Sequence, residues 1–95
     1  MKLLTIVYDA AVDGSLTELL EEMEVSQWTK SFGLFGQGET GSKLNTTVWP
    51  GINNEIRIAG DEAYLKEIAS NIRELQDEFK LRPGILMLLQ EVEEV

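Results

Sequence analysis

Two short, nearly unbroken apolar runs stand near opposite ends of this chain: residues 3–8 (LLTIVY) and residues 85–89 (ILMLL). Runs of this length, bounded by Asp9 on one side and Pro83-Gly84 on the other, are too short for buried helices. They read as strands that can be covered on both faces. A third strand is expected over 54–59 (NEIRIA), where Ile56 and Ile58 point one way and Glu55 and Arg57 the other. A fourth begins near Val25 or Ser26 and runs through WTKSFGLFG. Gly33 and Gly36 interrupt its alternation, as glycines do at a bulge or at a close approach by another backbone.

The two intervening stretches repeat with helical spacing. Ser15 and Glu18 make a capping-box pattern ahead of Leu16, Leu19, Leu20 and Met23, which predicts a first helix over 16–24. Asp61 is a good N-cap for a second helix, in which Leu65, Ile68, Ala69, Ile72, Leu75 and Phe79 recur at three and four residues. Glu62 and Lys66 can pair on its wet face, and Pro83-Gly84 stops it. The order β-α-β-β-α-β is that of a ferredoxin-like α+β fold, an antiparallel sheet with two helices on one face. The two most apolar strands, the first and the last, are expected side by side in the centre of the sheet. The helices cover one face, so the other is expected to be buried in an oligomer. Ninety-five residues point to one domain spanning 1–95. A domain of this size buries only about two-thirds of its unfolded surface, which makes self-association a natural source of further apolar burial.

Composition then narrows the chemistry. The chain has no cysteine and no histidine. Disulfides, thiol nucleophiles, thiolate or imidazole metal sites and Ser-His-Asp triads are therefore outside its reach. The side chain that most often performs acid–base work near neutral pH is also missing, and a binding role is expected rather than an enzymatic one. The formal net charge is -9, which repels nucleic acid and anionic lipid surfaces. The opening MKLLTIVYDAAVDG does not fit a signal peptide and its apolar run is too short to span a bilayer. A cytoplasmic protein without membrane insertion is expected.

Several residue groups carry more than one reading. The glycine-rich stretch 36–43 (GQGETGSK) can turn backbone N–H groups toward an anion, with Lys43 adding charge. It lacks P-loop spacing, and a plain connecting loop is the alternative. Lys80 and Arg82, beside Pro83-Gly84, can hold an anionic ligand or complement the dipole at the end of the second helix. Asp9 and Asp13 can bind a hard cation or serve turn chemistry. Glu21, Glu22 and Glu24 read as a solvated face. Trp28 suits the core or a subunit contact, and Trp49-Pro50 a contact surface or simple loop packing.

Taken with Thr29 in the second strand, the exit FGQG (35–38), the stretch TTVWPGINN (46–54) and the strand that follows it, the chain resembles the PII-like signalling proteins, relatives of the nitrogen-regulatory PII family. The TxVWP-x-x-NN pattern is the most specific part and is similar to a subgroup of small PII-like proteins associated with membrane efflux systems. The resemblance implies a trimer of ferredoxin-like subunits with the sheets facing inward. It implies a regulatory protein that binds a small anionic ligand or a protein partner through the loop between strands two and three, a membrane transporter being one such partner. Nucleotides in that family bind in clefts between subunits near the base of this loop. The resemblance thus assigns ligand contacts to Thr29, Gly36, Gln37 and Gly38, to which Lys80 and Arg82 are added from their charge. Thr47, Trp49 and Pro50 fall to partner contact, and an adenine nucleotide is the candidate cofactor. The chain departs from the PII pattern in three ways. Its loop is short and carries no tyrosine for modification. The glycine-aspartate-glycine-lysine phosphate loop before the last strand is replaced by Lys80-Leu81-Arg82-Pro83-Gly84. An arginine-bearing C-terminal extension is absent. A trimeric cation-tolerance protein that binds metal through carboxylates is the alternative of the same architecture. An acylphosphatase-like enzyme ranks last, because the arginine phosphate loop of that family is missing near the first strand.

Overall fold

The structure is a computed structural model that describes residues 1–34 and 52–95. Strand β1 (Lys2–Asp9) leads through a 3-10 turn (Ala10–Val12) into helix α1 (Asp13–Glu22); β2 (Thr29–Leu34) and β3 (Asn53–Gly60) follow, then helix α2 (Glu62–Asp77) and β4 (Ile85–Glu91). The strands form one sheet in the order β2-β3-β1-β4, and every neighbouring pair is antiparallel. This is the ferredoxin-like arrangement expected from the element order.

The positions of the strands correct one expectation. β1 and β4 are neighbours, but the sheet centre is β1 and β3, and β4 is an edge strand. The split crossover places β3 between β1 and β2, so β4 can only add to the one remaining edge of β1. Its apolar run is not buried on both faces. Ile85 and Met87 turn toward the helices and pack on the core, whereas Leu86 and Leu88 on the opposite face are 53% and 51% exposed. The strand register aligns Leu86 with Val7 and Leu88 with Thr5. The helix-free face therefore carries an apolar strip along the β1–β4 half, with Leu3 and Ala59 beside it. The β3–β2 half of the same face is polar, through Glu55, Arg57, Thr29 and Ser31.

The core lies between the sheet and the two helices. Leu4, Ile6 and Tyr8 from β1, Ile56 and Ile58 from β3, Leu16 and Leu20 from α1, and Leu65, Ile68 and Ile72 from α2 are all nearly inaccessible. Fully burying one such side chain stabilises by about 1.5–3 kcal/mol relative to leaving it exposed. The helix boundaries follow from capping. Asp61 caps α2, its side chain accepting from the Tyr64 N–H at 2.9 Å, and Lys66 pairs with Glu62 at 2.9 Å. Helix α2 stops at Asp77, six residues before Pro83, and residues beyond it fold back so that Phe79 still packs on the core.

Helix α1 starts earlier than the capping-box pattern suggests. The 3-10 turn feeds straight into it at Asp13, with Val12 at the N-cap and no side-chain cap; the cap is made upstream, where the Asp9 carboxylate accepts from the Ala11 N–H at 2.9 Å. Ser15 and Glu18 are exposed. At its C-terminus α1 ends in a Schellman turn. Glu24 takes a left-handed conformation (φ 59°), its N–H donates to the Glu21 carbonyl at 3.0 Å, and the Val25 N–H donates to the Leu20 carbonyl at 2.9 Å. Val25 is thereby buried against the core instead of opening a strand, which is why β2 begins only at Thr29.

Candidate functional site

Both attachments of segment 35–51 lie at one end of the sheet, where β2 ends and β3 begins. The β1 exit and the connection before β4 lie at the same end. The Asp9 N–H donates to the Gly84 carbonyl at 3.1 Å and the Ala10 N–H to the Ile52 carbonyl at 3.3 Å. These two bonds draw the 3-10 turn, the start of β3 and the 80–84 connection together.

Directly beneath this end, on the helix side of the sheet, is a partly buried polar cluster at the margin of the core. Strand alternation gives Tyr8, Lys30 and Asn54 the same inward parity as Ile6 and Ile56. Their partner is Asp13, in the first turn of α1. Its Oδ1 accepts from the Tyr8 hydroxyl at 2.6 Å, Lys30 Nζ at 2.8 Å and Asn54 Nδ2 at 3.2 Å. Lys30 also donates to Thr17 Oγ1 at 2.9 Å, and its ammonium lies 5.2 Å from the Trp28 ring centre and 5.3 Å from that of Phe32. The Asn54 Oδ1 accepts from the Gly33 N–H at 3.1 Å. Gly33 has φ +66°, at an irregularity where β2 shifts register between Ser31 and Leu34; a Cβ there would be strained.

The electrostatics follow from burial and pairing. Burial pushes the Asp13 carboxyl up, but the hydrogen bonds from Lys30, Tyr8 and Asn54 outweigh it and hold the group below the usual carboxylate range. Burial, and then the Asp13 carboxylate, push the Tyr8 phenol above its ordinary value. Among the described residues every buried side-chain nitrogen or oxygen has a hydrogen-bond partner. The cluster is thus a closed knot. It ties β1, α1, β2 and β3 together at the point where segment 35–51 departs and returns.

The residues singled out in the sequence are distributed as follows. Lys80 and Arg82 lie exposed on the connection at this end of the sheet, and Arg82 Nε bonds Asp77 Oδ1 at 3.0 Å. Thr29 is not brought to them. It is exposed at the start of β2, opposite Arg57 on the helix-free face, five residues or about 16 Å of strand from Leu34. Gly36, Gln37, Gly38, Lys43, Thr47, Trp49 and Pro50 lie outside the described residues. Asp9 serves the turn and Asp13 the knot. Trp28 is partly buried against the core. The sequence reading missed Tyr8, Lys30 and Asn54. The available signal was a lysine and an asparagine at core-facing parity on two paired strands, which a buried position tolerates only with partners.

No family model matches the sequence, and no curated protein matches it significantly. Its fold is nevertheless shared with solved structures. A CPII protein of Thiomonas intermedia K12, a nitrogen regulatory PII-like protein bound to ADP, AMP and bicarbonate, superposes with a TM-score of 0.65 at 17% identity, covering 99% of this chain and 93% of that one. The apo form of CPII gives a TM-score of 0.64 at 18% identity, over 96% of this chain and 89% of that one. A Thermus thermophilus protein assigned to PII-like signalling gives 0.59 at 20% identity, over 94% and 83%. The chain has a PII-like fold. In this PII-like fold, segment 35–51 connects the second and third strands, and 80–84 is the connection before the last strand. Among the described residues no helix is long and apolar enough to cross a membrane.

Proposed function

We propose that this chain is a PII-like regulatory protein that acts as a homotrimer, binding a small anionic ligand at the loop end of its sheet and presenting segment 35–51 to a protein partner. The observation that carries this reading is the convergence of three connections at one sheet end, within a fold shared along nearly the whole chain with a nucleotide-bound protein. An adenine nucleotide is the ligand class favoured, with Lys80 and Arg82 supplying charge and Gly36, Gln37 and Gly38 supplying backbone N–H groups. Thr29, at the opposite end of β2 from Leu34, takes part from an intersubunit cleft. Thr47, Trp49 and Pro50 are the partner contacts, and a membrane transporter is the partner class.

The trimer is supported by the apolar strip of Leu3, Val7, Leu86 and Leu88 on the helix-free face. A second reading, cation binding through carboxylates, has no observation in its favour among the described residues. Titration calorimetry with ADP and AMP, with and without bicarbonate, tests the ligand. Binding that is lost in the Lys80→Ala/Arg82→Ala double variant is expected; binding indifferent to both changes would overturn the site. Light scattering after size exclusion is expected to give three protomers, and a stable monomer would remove the intersubunit cleft. Trp49→Ala is expected to abolish capture of the partner transporter; unchanged capture would refute the loop contact.

A further inference from the structure

Gln76 is a polar residue in the interior, 2% exposed, on the core-facing side of α2. A buried amide is retained only where its donor and acceptor are both used. Here both are: one partner is the chain before β4, and the other is Arg73 of the same helix, which itself reaches the start of β4. Its Nε2 donates to the Pro83 carbonyl at 2.7 Å. Its Oε1 accepts from Arg73 Nη1 at 2.8 Å, and the same Nη1 donates to the Ile85 carbonyl at 3.0 Å. One helical turn of α2 thus grips the backbone on both sides of Gly84, the residue whose carbonyl is bonded by the Asp9 N–H. The grip closes a short excursion, 78–84, that carries Lys80 and Arg82. Among the described residues Arg73 pairs with no carboxylate.

We propose that Gln76 is the positioning residue of the anion site. Through its amide it holds the 78–84 connection and the Arg73 guanidinium in one fixed arrangement, so that Lys80 and Arg82 meet a ligand already ordered. This rests on the anion-binding reading above and adds the residue that sets its geometry. Preorganisation is the physical reason it matters. Two exposed cations on a loose connection must be ordered at the moment of binding, and that ordering weakens affinity. A clamp made during folding removes part of that penalty, and it does so without touching the ligand.

The test uses the full chain and two readouts. Backbone 15N relaxation of residues 78–85 without ligand reads the clamp itself. Calorimetry with ADP in bicarbonate buffer reads its consequence. Gln76→Met, close in volume and unable to make either bond, is expected to lower the order parameters of 78–85 from about 0.85 to below about 0.6, while β1 and β3 stay rigid, and to weaken ADP binding by about tenfold. Gln76→Glu keeps the acceptor for Arg73 but turns a carboxylate toward the Pro83 carbonyl; it is expected to do the same and is read instead if Gln76→Met does not fold. Unchanged order parameters in 78–85 overturn the clamp whatever ADP does. Lowered order parameters with unchanged ADP affinity overturn the positioning role, provided Lys80→Ala/Arg82→Ala weakens ADP. If wild type binds no ADP, or the double variant binds it normally, the parent reading falls and the positioning role falls with it, while the relaxation result still stands on its own.

Discussion

Replacing Lys30 by methionine removes the charge at the centre of the buried knot while keeping an unbranched side chain of similar length. The lysine side chain is 9% exposed and Asp13 29% exposed, so solvent replaces little of what is lost. The ion pair at 2.8 Å is a charge-assisted hydrogen bond, a class whose net worth is about 1.5–3 kcal/mol. The bond to Thr17 and the position between two aromatic rings add to this, the latter by about 0.5–1 kcal/mol per ring. Against the loss stands relief from desolvating the ammonium, together with sulfur–aromatic contact made by the new methionine. A net destabilisation of about 2 kcal/mol is expected, or a fall in melting temperature on the order of 10 °C for a chain this size. Urea denaturation followed by far-UV circular dichroism, at one fixed protomer concentration, measures it. The cycle with Asp13→Asn isolates the pair, with a coupling of about 1–2 kcal/mol expected. The pH dependence supplies a second reading. The folded Asp13 carboxyl is held below its usual range, so its contribution is present above the unfolded value of about 3.9 and is lost as pH falls through the lower folded value. Removing Lys30 should therefore flatten the acid limb of the stability curve. A variant within about 0.5 kcal/mol of wild type at pH 7, with no coupling to Asp13→Asn, would refute the claim that this pair fixes the sheet end.

The remaining expectations probe other parts of the same architecture. Tyr8→Phe deletes the shortest donor to Asp13 and should cost about 1 kcal/mol at pH 7. The folded phenol titrates above its ordinary value, so its contribution is whole below pH of about 10 and is lost as pH rises beyond that; the alkaline loss of stability, followed by circular dichroism, should be smaller in the variant. Gly33→Ala places a side chain at φ +66° and should destabilise by about 1 kcal/mol, whereas Glu24→Gly relieves a left-handed residue and should be neutral to slightly stabilising in the same denaturation assay. Leu88→Asp sets a charge in the apolar strip of the helix-free face and is expected to reduce the scattering mass from three protomers to one while the circular dichroism of the subunit persists; an unchanged mass would place the assembly interface elsewhere.

Element order, both helices and the inward sides of β1, β3 and α2 could be read from the sequence, because period-2 and period-3.6 patterns report burial within a single element. The Asp61 cap and the Glu62–Lys66 pair are equally local and were found as expected. The pattern failed where neighbours in space decide. An apolar run such as 85–89 records that both faces of β4 are apolar, and it cannot say which of them the subunit itself covers; hence the strand expected at the centre stands at an edge, with Leu86 and Leu88 exposed. Ser15 carries the cap signature, but a 3-10 turn closed by Asp9 starts the helix sooner. The knot of Tyr8, Asp13, Lys30 and Asn54 draws on four elements, with one bond reaching across 41 positions, and no spacing rule joins them. Gln76 looks like one more polar residue of an amphipathic helix until the chain after α2 folds back over it. By itself the sequence determined the elements and which side of β1, β3 and α2 turns inward. Only the tertiary structure decided which polar groups go in with them, because a buried donor or acceptor is tolerated through partners that distant parts of the chain supply.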